Sequence, residues 1–218
     1  RAYYVMGNYD AAFRDLDKCL VLEPSYANAF LYLGLIAIQR GLPELALQSY
    51  TRAIQLDSTF ALAWGNRGHL YMSSFQDYPR AIADFNQALQ IMPQSTFTRH
   101  NLGALYLNIG KYQEAIEQLT FVLQAEPQNK RALHDRAMAW RSLVNFDNSF
   151  ADFTAAIRVD SNYLQAWHNR GDLLYVYEHY NEALQDFNAV LKLDSTYYPS
   201  YARRASVMIK TALYANAL

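Results

Sequence analysis

The stretch AWHNRGDLLYVYEHYNEALQDFNAVLKLDS, Ala166 to Ser195, decides the fold. Nearly the same order of residue types recurs five more times at a spacing of 34 residues. In most copies a large apolar residue precedes a small residue by four positions, and aromatic residues, an alanine and a Phe or Tyr follow. Such a period is typical of stacked helix pairs, because one pair alone cannot bury its apolar faces. The sequence therefore predicts an all-α protein.

Turn residues separate the apolar segments of each copy. Glycines between two apolar-periodic segments indicate turns, and these are Gly7, Gly41 and Gly110. A proline or an Asp-Ser pair follows the second segment of each copy, where it stops a helix. The predicted helix pairs are 27–40 with 43–56, 61–74 with 78–91, 96–109 with 112–125, 130–143 with 146–159, and 164–177 with 180–193. A second helix at 9–22 precedes them, and a first helix at 198–211 follows, with Tyr214 to Leu218 as the start of its partner.

The period also predicts the domain organisation, a single array of repeats. The repeats are 1–26 (partial), 27–60, 61–95, 96–129, 130–163, 164–197 and 198–218 (partial). Both ends fall inside a repeat, which favours a window from a longer array over a complete protein with frayed ends. Cut ends of this kind predict end-to-end self-association of the chain.

The repeated pattern resembles the tetratricopeptide repeat over essentially the whole chain. Trp64 and Trp167 match the first aromatic residue of that motif, Gly68 and Gly171 match its small residue, and Ala183 matches the alanine of its second helix. The resemblance implies a right-handed α-solenoid of antiparallel helix pairs. It also implies that the first helices line a concave groove in which a peptide or another protein binds.

Arg and Asp occur together at two positions that should face each other inside a helix pair. Three repeats carry both residues, whereas the other two complete repeats carry Leu with Ser or Gln. A charge between two helices needs a partner, since losing one member of a buried pair costs about 3–5 kcal/mol. We therefore predict structural ion pairs, with solvated surface charges as the alternative. The predicted pairs are Arg67–Asp84, Arg136–Asp152 and Arg170–Asp186.

The phase of the repeat selects the side chains that would line the groove. The predicted binding residues are Tyr32, Leu35, Asn66, His69, Phe97, His100, Asn101, His134, Arg141, His168, Asn169 and Arg203. Asn66, Asn101 and Asn169 share one position, and an Asn amide can both donate to and accept from a peptide backbone. The alternative is that these amides cap local main chain. Among members of the family that this pattern resembles, the O-linked N-acetylglucosamine transferase is known for such a ladder of asparagines.

Other types of site are not predicted. His100, His134 and His168 recur every 34 residues, but equivalent helices lie about 8–10 Å apart, too far for shared zinc ligands. We expect no metal, no cofactor and no catalytic residue. Relatives that bind the chaperone C-terminal motif use five polar residues, of which only Asn169 and Arg203 have counterparts here. Cys19 is interpreted as a small buried residue.

Composition sets further limits on function. Charges nearly balance, with 19 Lys plus Arg and 20 Asp plus Glu, so no global field favours nucleic acid. The longest apolar run is about half the roughly 18 residues of a membrane-spanning helix, so we expect no membrane insertion. A single cysteine allows no internal disulfide, which fits an intracellular, cytoplasmic location. A cilium or another organelle-associated assembly is the alternative.

Together these features predict a non-catalytic protein–protein interaction scaffold that holds a peptide or protein segment in its groove and positions it within an assembly. Two alternatives stay open. In the first, the chain is the substrate-recruiting arm of a larger enzyme; in the second, it is a structural element of a large ciliary or organellar complex.

Overall fold

The structure, a computed structural model, describes residues 9–217 and the side chains of residues 9–212. The described part of the chain contains twelve helices and no strand. The helices are α1 (Tyr9–Leu22), α2 (Ala27–Gln39), α3 (Pro43–Leu56), α4 (Ala61–Ser73), α5 (Tyr78–Ile91), α6 (Thr96–Asn108), α7 (Tyr112–Ala125), α8 (Lys130–Ser142), α9 (Phe146–Val159), α10 (Leu164–Val176), α11 (Tyr180–Leu193) and α12 (Tyr198–Ala217). The predicted all-α class is confirmed.

The second helices begin and end where the sequence predicts, and the first helices of the complete pairs end one residue earlier. One prediction was wrong. Helix α12 was expected to end near residue 211, with a partner helix starting at Tyr214, but it continues to Ala217. Residues 211–217 contain no Gly or Pro and three alanines, so local propensity favours continuing the helix. The predicted turn at Gly7 lies outside the described residues.

Each tight turn between paired helices contains one residue in the left-handed conformation. Gly41 and Gly110 have φ of 69° and 78°. Three other turns place Gln76, Val144 and Glu178 at the same repeat position, with φ of 52°, 58° and 64°. An amide hydrogen bond reaches back over each turn, for example from Asn145 N to Trp140 O at 2.9 Å. The backbone hydrogen bonds of the turn thus hold the conformation even where the residue is not glycine.

The paired helices run antiparallel. In the α4–α5 pair Arg67 contacts Asp84, and Tyr71 contacts Arg80. A step forward along α4, from Arg67 to Tyr71, is therefore a step backward along α5, from Asp84 to Arg80, so the two helices run in opposite directions. The small residue lets the helices approach closely: a Cβ on Gly68 would lie 2.9 Å from Cδ1 of Phe85. The Phe85 ring therefore packs directly against the backbone of Gly68, in space that a side chain at this position would occupy.

The helices group into two compact units, residues 1–105 and 106–218, and the boundary lies inside α6. In the N-terminal unit, α2 to α4 enclose an apolar core around the fully buried Tyr50. In the C-terminal unit, consecutive pairs from α8 onward share cores around Phe153 and Phe187, which are both fully buried. Within each unit a helix pair packs against the next pair, which is the arrangement of an α-solenoid.

Candidate functional site

The structure brings the three predicted Arg–Asp pairs together. Each guanidinium binds its carboxylate through two hydrogen bonds, with Arg170 Nε at 2.8 Å from Asp186 Oδ2 and Nη2 at 2.7 Å from Oδ1. Arg67–Asp84 and Arg136–Asp152 have the same bidentate geometry, with distances of 2.7–2.9 Å. The carboxylates are buried between the two helices of each pair. Such forked contacts fix the rotation of one helix against the other.

Burial disfavours the charged forms of the arginine and the aspartate, and the hydrogen bonds and opposite charge of the partner act against this effect. For Arg67 burial opposes the charge, but the hydrogen bond and the charge of Asp84 outweigh it, so the pKa of Arg67 lies above its usual value. Burial raises the pKa of Asp186 above its usual value, although the hydrogen bond and charge of Arg170 act in the opposite direction. Asp186 therefore depends on Arg170 to stay ionised inside the pair.

Sequence reasoning missed a third member of each ion pair. A threonine of the preceding second helix accepts a hydrogen bond from Nη1 of the arginine, as Thr154 does from Arg170 at 3.0 Å. Thr51 and Thr120 stand in the same relation to Arg67 and Arg136. Each threonine lies 16 residues before its arginine, so the spacing was a signal available in the sequence. The triad ties a helix pair to the pair before it.

The second repeat replaces the ion pair with apolar and small side chains. Leu33 and Ser49 occupy the two positions, and the Ser49 hydroxyl donates to Leu45 O in its own helix at 2.8 Å. A recess of about 200 Å³ remains beside them, and its lining is largely apolar. The lining residues are Phe13, Leu33, Ile36, Ala37, Arg40, Leu42, Leu45 and Ser49.

The predicted groove residues of the N-terminal unit lie on its first helices. Phe97 and His69 are exposed, and Tyr32 is half-buried, whereas Leu35 packs against the apolar core. The Asn66 amide donates to Leu62 O at 2.7 Å, and the Asn101 amide donates to Phe97 O at 3.0 Å. These two amides thus bond to their own helices, so their contact with a peptide stays a prediction. His100 is half-buried.

In the C-terminal unit the predicted histidines bridge neighbouring first helices. His134 Nε2 of α8 lies 2.8 Å from the Asn169 amide nitrogen of α10, and His168 Nδ1 lies 2.9 Å from Ser200 Oγ of α12. The His168 ring also packs edge-on against Tyr197. Burial lowers the pKa of His168; the charge of Asp172 acts in the opposite direction, and the charges of Arg203 and Arg141 lower the pKa further. In the structure these rings therefore link neighbouring repeats, and their contact with a bound segment stays a prediction.

A charged cluster lies beside these links. Asp172 of α10 is buried, and its Oδ1 lies 2.8 Å from Arg203 Nε of α12. Arg141 Nη2 of α8 lies 3.8 Å from Asp172 Oδ2. Both arginine side chains stay partly exposed, at 43% for Arg203 and 29% for Arg141. The predicted residues Arg141, His168 and Arg203 are thus brought together around Asp172, which the phase of the repeat also places toward the groove but which was not among the predicted binding residues.

A recess of about 420 Å³ opens at the α12 side of this cluster. Its lining residues are His168, Asp172, Tyr198, Pro199, Ala202, Arg203 and Ser206. Among the described residues, no group of three or more His, Cys, Asp or Glu side chains is placed to hold a metal ion. No described helix has both the length and the apolar character needed to cross a membrane.

Comparison with known proteins identifies the repeat. Three models of the tetratricopeptide repeat match residues 1–59, 74–140 and 164–197. The human mitochondrial import receptor subunit TOM70 is 31% identical over 101 residues, which are 44% of this chain and 16% of that protein. The human protein O-mannosyl-transferase TMTC1 is 36% identical over 107 residues, which are 47% of this chain and 12% of that protein. The chain therefore spans less than a fifth of the length of either relative.

Solved structures agree with the fold. YrrB, described as a TPR protein with an unusual peptide-binding site, has a TM-score of 0.74 and 18% identity, covering 87% of this chain and 97% of that one. Identity at this level shows the fold alone. The helix pairs, the glycines against the rings of Tyr50, Phe85 and Phe187, and the three matching models lead to one conclusion: the chain belongs to the tetratricopeptide repeat family.

Proposed function

We propose that the chain is a non-catalytic scaffold that binds an extended protein segment along its first helices. In the C-terminal unit, Arg141 and Arg203 would hold an acidic group of that segment. Tetratricopeptide repeats form scaffolds that bind other proteins, and this chain is built of them. The observation that carries the finer proposal is the pair of partly exposed guanidinium groups aligned by the buried Asp172.

The charge of the cluster favours an anionic ligand. Two guanidinium groups and one carboxylate leave one positive charge while His168 is neutral, and burial lowers the pKa of His168. Asp172 contacts Arg203 through an ion pair with Nε at 2.8 Å and accepts a hydrogen bond from Nη2 at 3.4 Å. Each guanidinium has five N–H donors, so donors remain for a ligand carboxylate. A guanidinium that is already oriented loses less conformational entropy when the ligand binds.

The recess beside the cluster suits a peptide backbone. Tyr198 and Pro199 contribute apolar surface to its lining, and Ser206, whose hydroxyl donates to Ala202 O at 3.0 Å, contributes a polar group. Weak contacts of this kind, repeated along several first helices, add up over an extended segment. Specificity would then come from where the acidic group lies along that segment.

The experiment compares two adjacent arginines of α12 that have different partners, Asp172 for Arg203 and Asn188 for Arg204. The probes are three labelled dodecapeptides of Ala and Ser that carry three Glu, no charge or three Lys, and fluorescence anisotropy measures their Kd. We expect the acidic peptide to bind tightest and Arg203→Gln to weaken it at least fivefold, while Arg204→Gln leaves it unchanged. Equal affinity for the three peptides, or no effect of Arg203→Gln, would contradict the proposal.

A second proposal concerns the context of the scaffold. TOM70 is named a mitochondrial import receptor subunit and TMTC1 a protein O-mannosyl-transferase, and in both the matched region is a small part of a longer protein. By this similarity the chain would act as the binding arm of a larger organelle-associated receptor or enzyme. The sequence of the full gene tests this: flanking segments with a catalytic or targeting domain support it, and their absence opposes it.

A further inference from the structure

The second repeat has a recess at a place where the next three repeats have an aromatic ring. Ala37 occupies this position in the second repeat, and it lines the recess of about 200 Å³ between α1, α2 and α3. The aromatic residues at the same position are Tyr71, Tyr106 and Trp140. The Tyr71 ring lies against its own helix pair, with the Arg80 guanidinium 4.8 Å from the ring centre. An apolar cavity of about 150 Å³ can bind benzene, so the recess has room for one aromatic ring.

Substitutions within the second repeat form this recess. Leu33 and Ser49 replace the arginine and the aspartate of the ion pair, and Ala37 replaces the aromatic ring. In the third repeat these groups lie close together, since the Arg67 guanidinium is 5.9 Å from the Tyr71 ring centre. All three side chains of the second repeat are smaller than those they replace, and all three line the recess. The recess is therefore a property of α2 and α3 themselves.

Two exposed leucines of the same repeat also line the recess. Leu42 and Leu45 are 45% and 44% exposed. Both positions are polar in the other four complete repeats. The counterparts of Leu42 are Asp77, Lys111, Asn145 and His179, and those of Leu45 are Arg80, Glu114, Asn148 and Glu182. Apolar residues that are grouped at the surface, beside a recess and where the other repeats are polar, indicate a surface for binding another protein.

We propose that the recess binds the aromatic side chain of a partner protein segment. The ring takes the place that the tyrosine ring fills in the third repeat, and an aromatic residue in such a pocket can supply much of the binding energy of an interface. The charge of Arg40, which also lines the recess, is balanced by an ion pair with Asp10, so the surroundings favour an uncharged ring.

The residues around the recess favour a protein segment over a free aromatic molecule. A free ring would leave the partly exposed side chains of Phe13, Leu42 and Leu45 in water, whereas residues on either side of the ring in a segment would cover them. The proposal is independent of the binding of an acidic group, because that site lies in the C-terminal unit and the recess lies in the N-terminal unit.

Titration of three heptapeptides, followed by ligand-observed NMR, tests the proposal. The peptides have blocked ends and the sequence Ser-Gly-Leu-X-Leu-Gly-Ser, with Phe, Leu or Ala at X. We expect the Phe peptide to bind tightest and the Ala peptide to have a Kd at least tenfold higher, which corresponds to about 1.4 kcal/mol. Ala37→Tyr gives the second repeat the ring of the third, so it should fill the recess and raise the Kd of the Phe peptide at least tenfold.

Two equally exposed leucines of the same unit provide a matched control. Leu45→Arg, which copies Arg80 of the third repeat, should raise the Kd of the Phe peptide at least fivefold. Leu62→Arg changes a leucine of α4 that is 46% exposed, and it should leave the Kd unchanged, as should Arg203→Gln. Circular dichroism should give the same helix content for every variant.

Three results would overturn the proposal. The first is the absence of saturable binding of the Phe peptide up to about 1 mM, which corresponds to about −4.1 kcal/mol. The second is equal affinity for the Phe and Leu peptides, since the recess would then not select a ring. The third is a loss of binding in Leu62→Arg but not in Leu45→Arg, which would place the peptide on the first helices instead.

Discussion

Replacing the Arg170–Asp186 pair by the residues of the second repeat tests how the helix pairs are held together. The side chains of Arg170 and Asp186 are 15% and 4% exposed. Removing one partner leaves the other charge buried, so Asp186→Ser alone should lower the free energy of unfolding by about 3 kcal/mol. The double variant Arg170→Leu/Asp186→Ser copies Leu33 and Ser49, which the fold accepts, and should cost only about 1 kcal/mol.

Thermal unfolding followed by circular dichroism measures these differences. At about 2–4 °C per kcal/mol for a chain of this size, Asp186→Ser should lower Tm by about 6–12 °C and the double variant by about 2–4 °C. Arg170→Leu alone should resemble Asp186→Ser, so the double-mutant cycle should give a coupling of several kcal/mol.

The control is Glu114→Gln, which removes the exposed pair with Lys111. Its charged atoms are 3.7 Å apart, and both side chains are about half exposed, at 54% and 46%. We expect a change below about 0.5 kcal/mol. A loss under about 1 kcal/mol for Asp186→Ser, or a double variant that loses the sum of the two single losses, would refute the argument that burial makes each charge depend on its partner.

Three further predictions concern packing, backbone strain and pH. Gly171→Val should lower the free energy of unfolding by about 1–3 kcal/mol, because even a Cβ there would lie 2.8 Å from Phe187 Cε1; a urea titration measures this. Val144→Gly should raise it by about 1 kcal/mol, because a β-branched residue at φ 58° is strained; calorimetry measures the gain. Stability should fall as the pH drops below about 6.5, because the lowered pKa of His168 lets the unfolded chain take up a proton that the folded chain resists. His168→Gln should flatten this pH dependence in Tm measurements between pH 5 and 8.

Each of these predictions has a contradicting result. An unchanged urea midpoint for Gly171→Val would mean that the helices do not need the close contact. A lower Tm for Val144→Gly would mean that the turn is not strained by its side chain. If His168→Gln follows the same pH curve as the parent chain, the burial of His168 does not influence stability.

Periodicity predicted the helices well because each repeat has the same requirement for burial. The bounds of the second helices match, and the Arg–Asp pattern anticipated which side chains meet, since a buried charge constrains both partners at once. The turns were harder to predict. Gly41 indicated one, but Val144 adopts the same left-handed conformation because the hydrogen bonds around it fix the backbone.

The candidate site was predicted less completely, because it depends on contacts between repeats. The helical phase located His168 and Arg203 on the first helices, yet nothing in the spacing showed that His168 bonds to Ser200. Asp172 was visible as a polar residue, but only the structure shows that it is buried between two guanidinium groups. Partners that lie about one repeat apart do not change residue type together from repeat to repeat. The Arg and Asp of each ion pair do, and this joint change made the ion pairs predictable from the sequence.

Hydrogen exchange with and without the acidic dodecapeptide tests the central claim most directly, namely that the first helices bind an extended protein segment. The account predicts slower exchange in α8, α10 and α12 of the C-terminal unit, with Arg203→Gln requiring a higher peptide concentration for the same effect and Arg204→Gln behaving like the parent chain. Slowing confined to the second helices α9 and α11, or no slowing at saturating peptide, would contradict it.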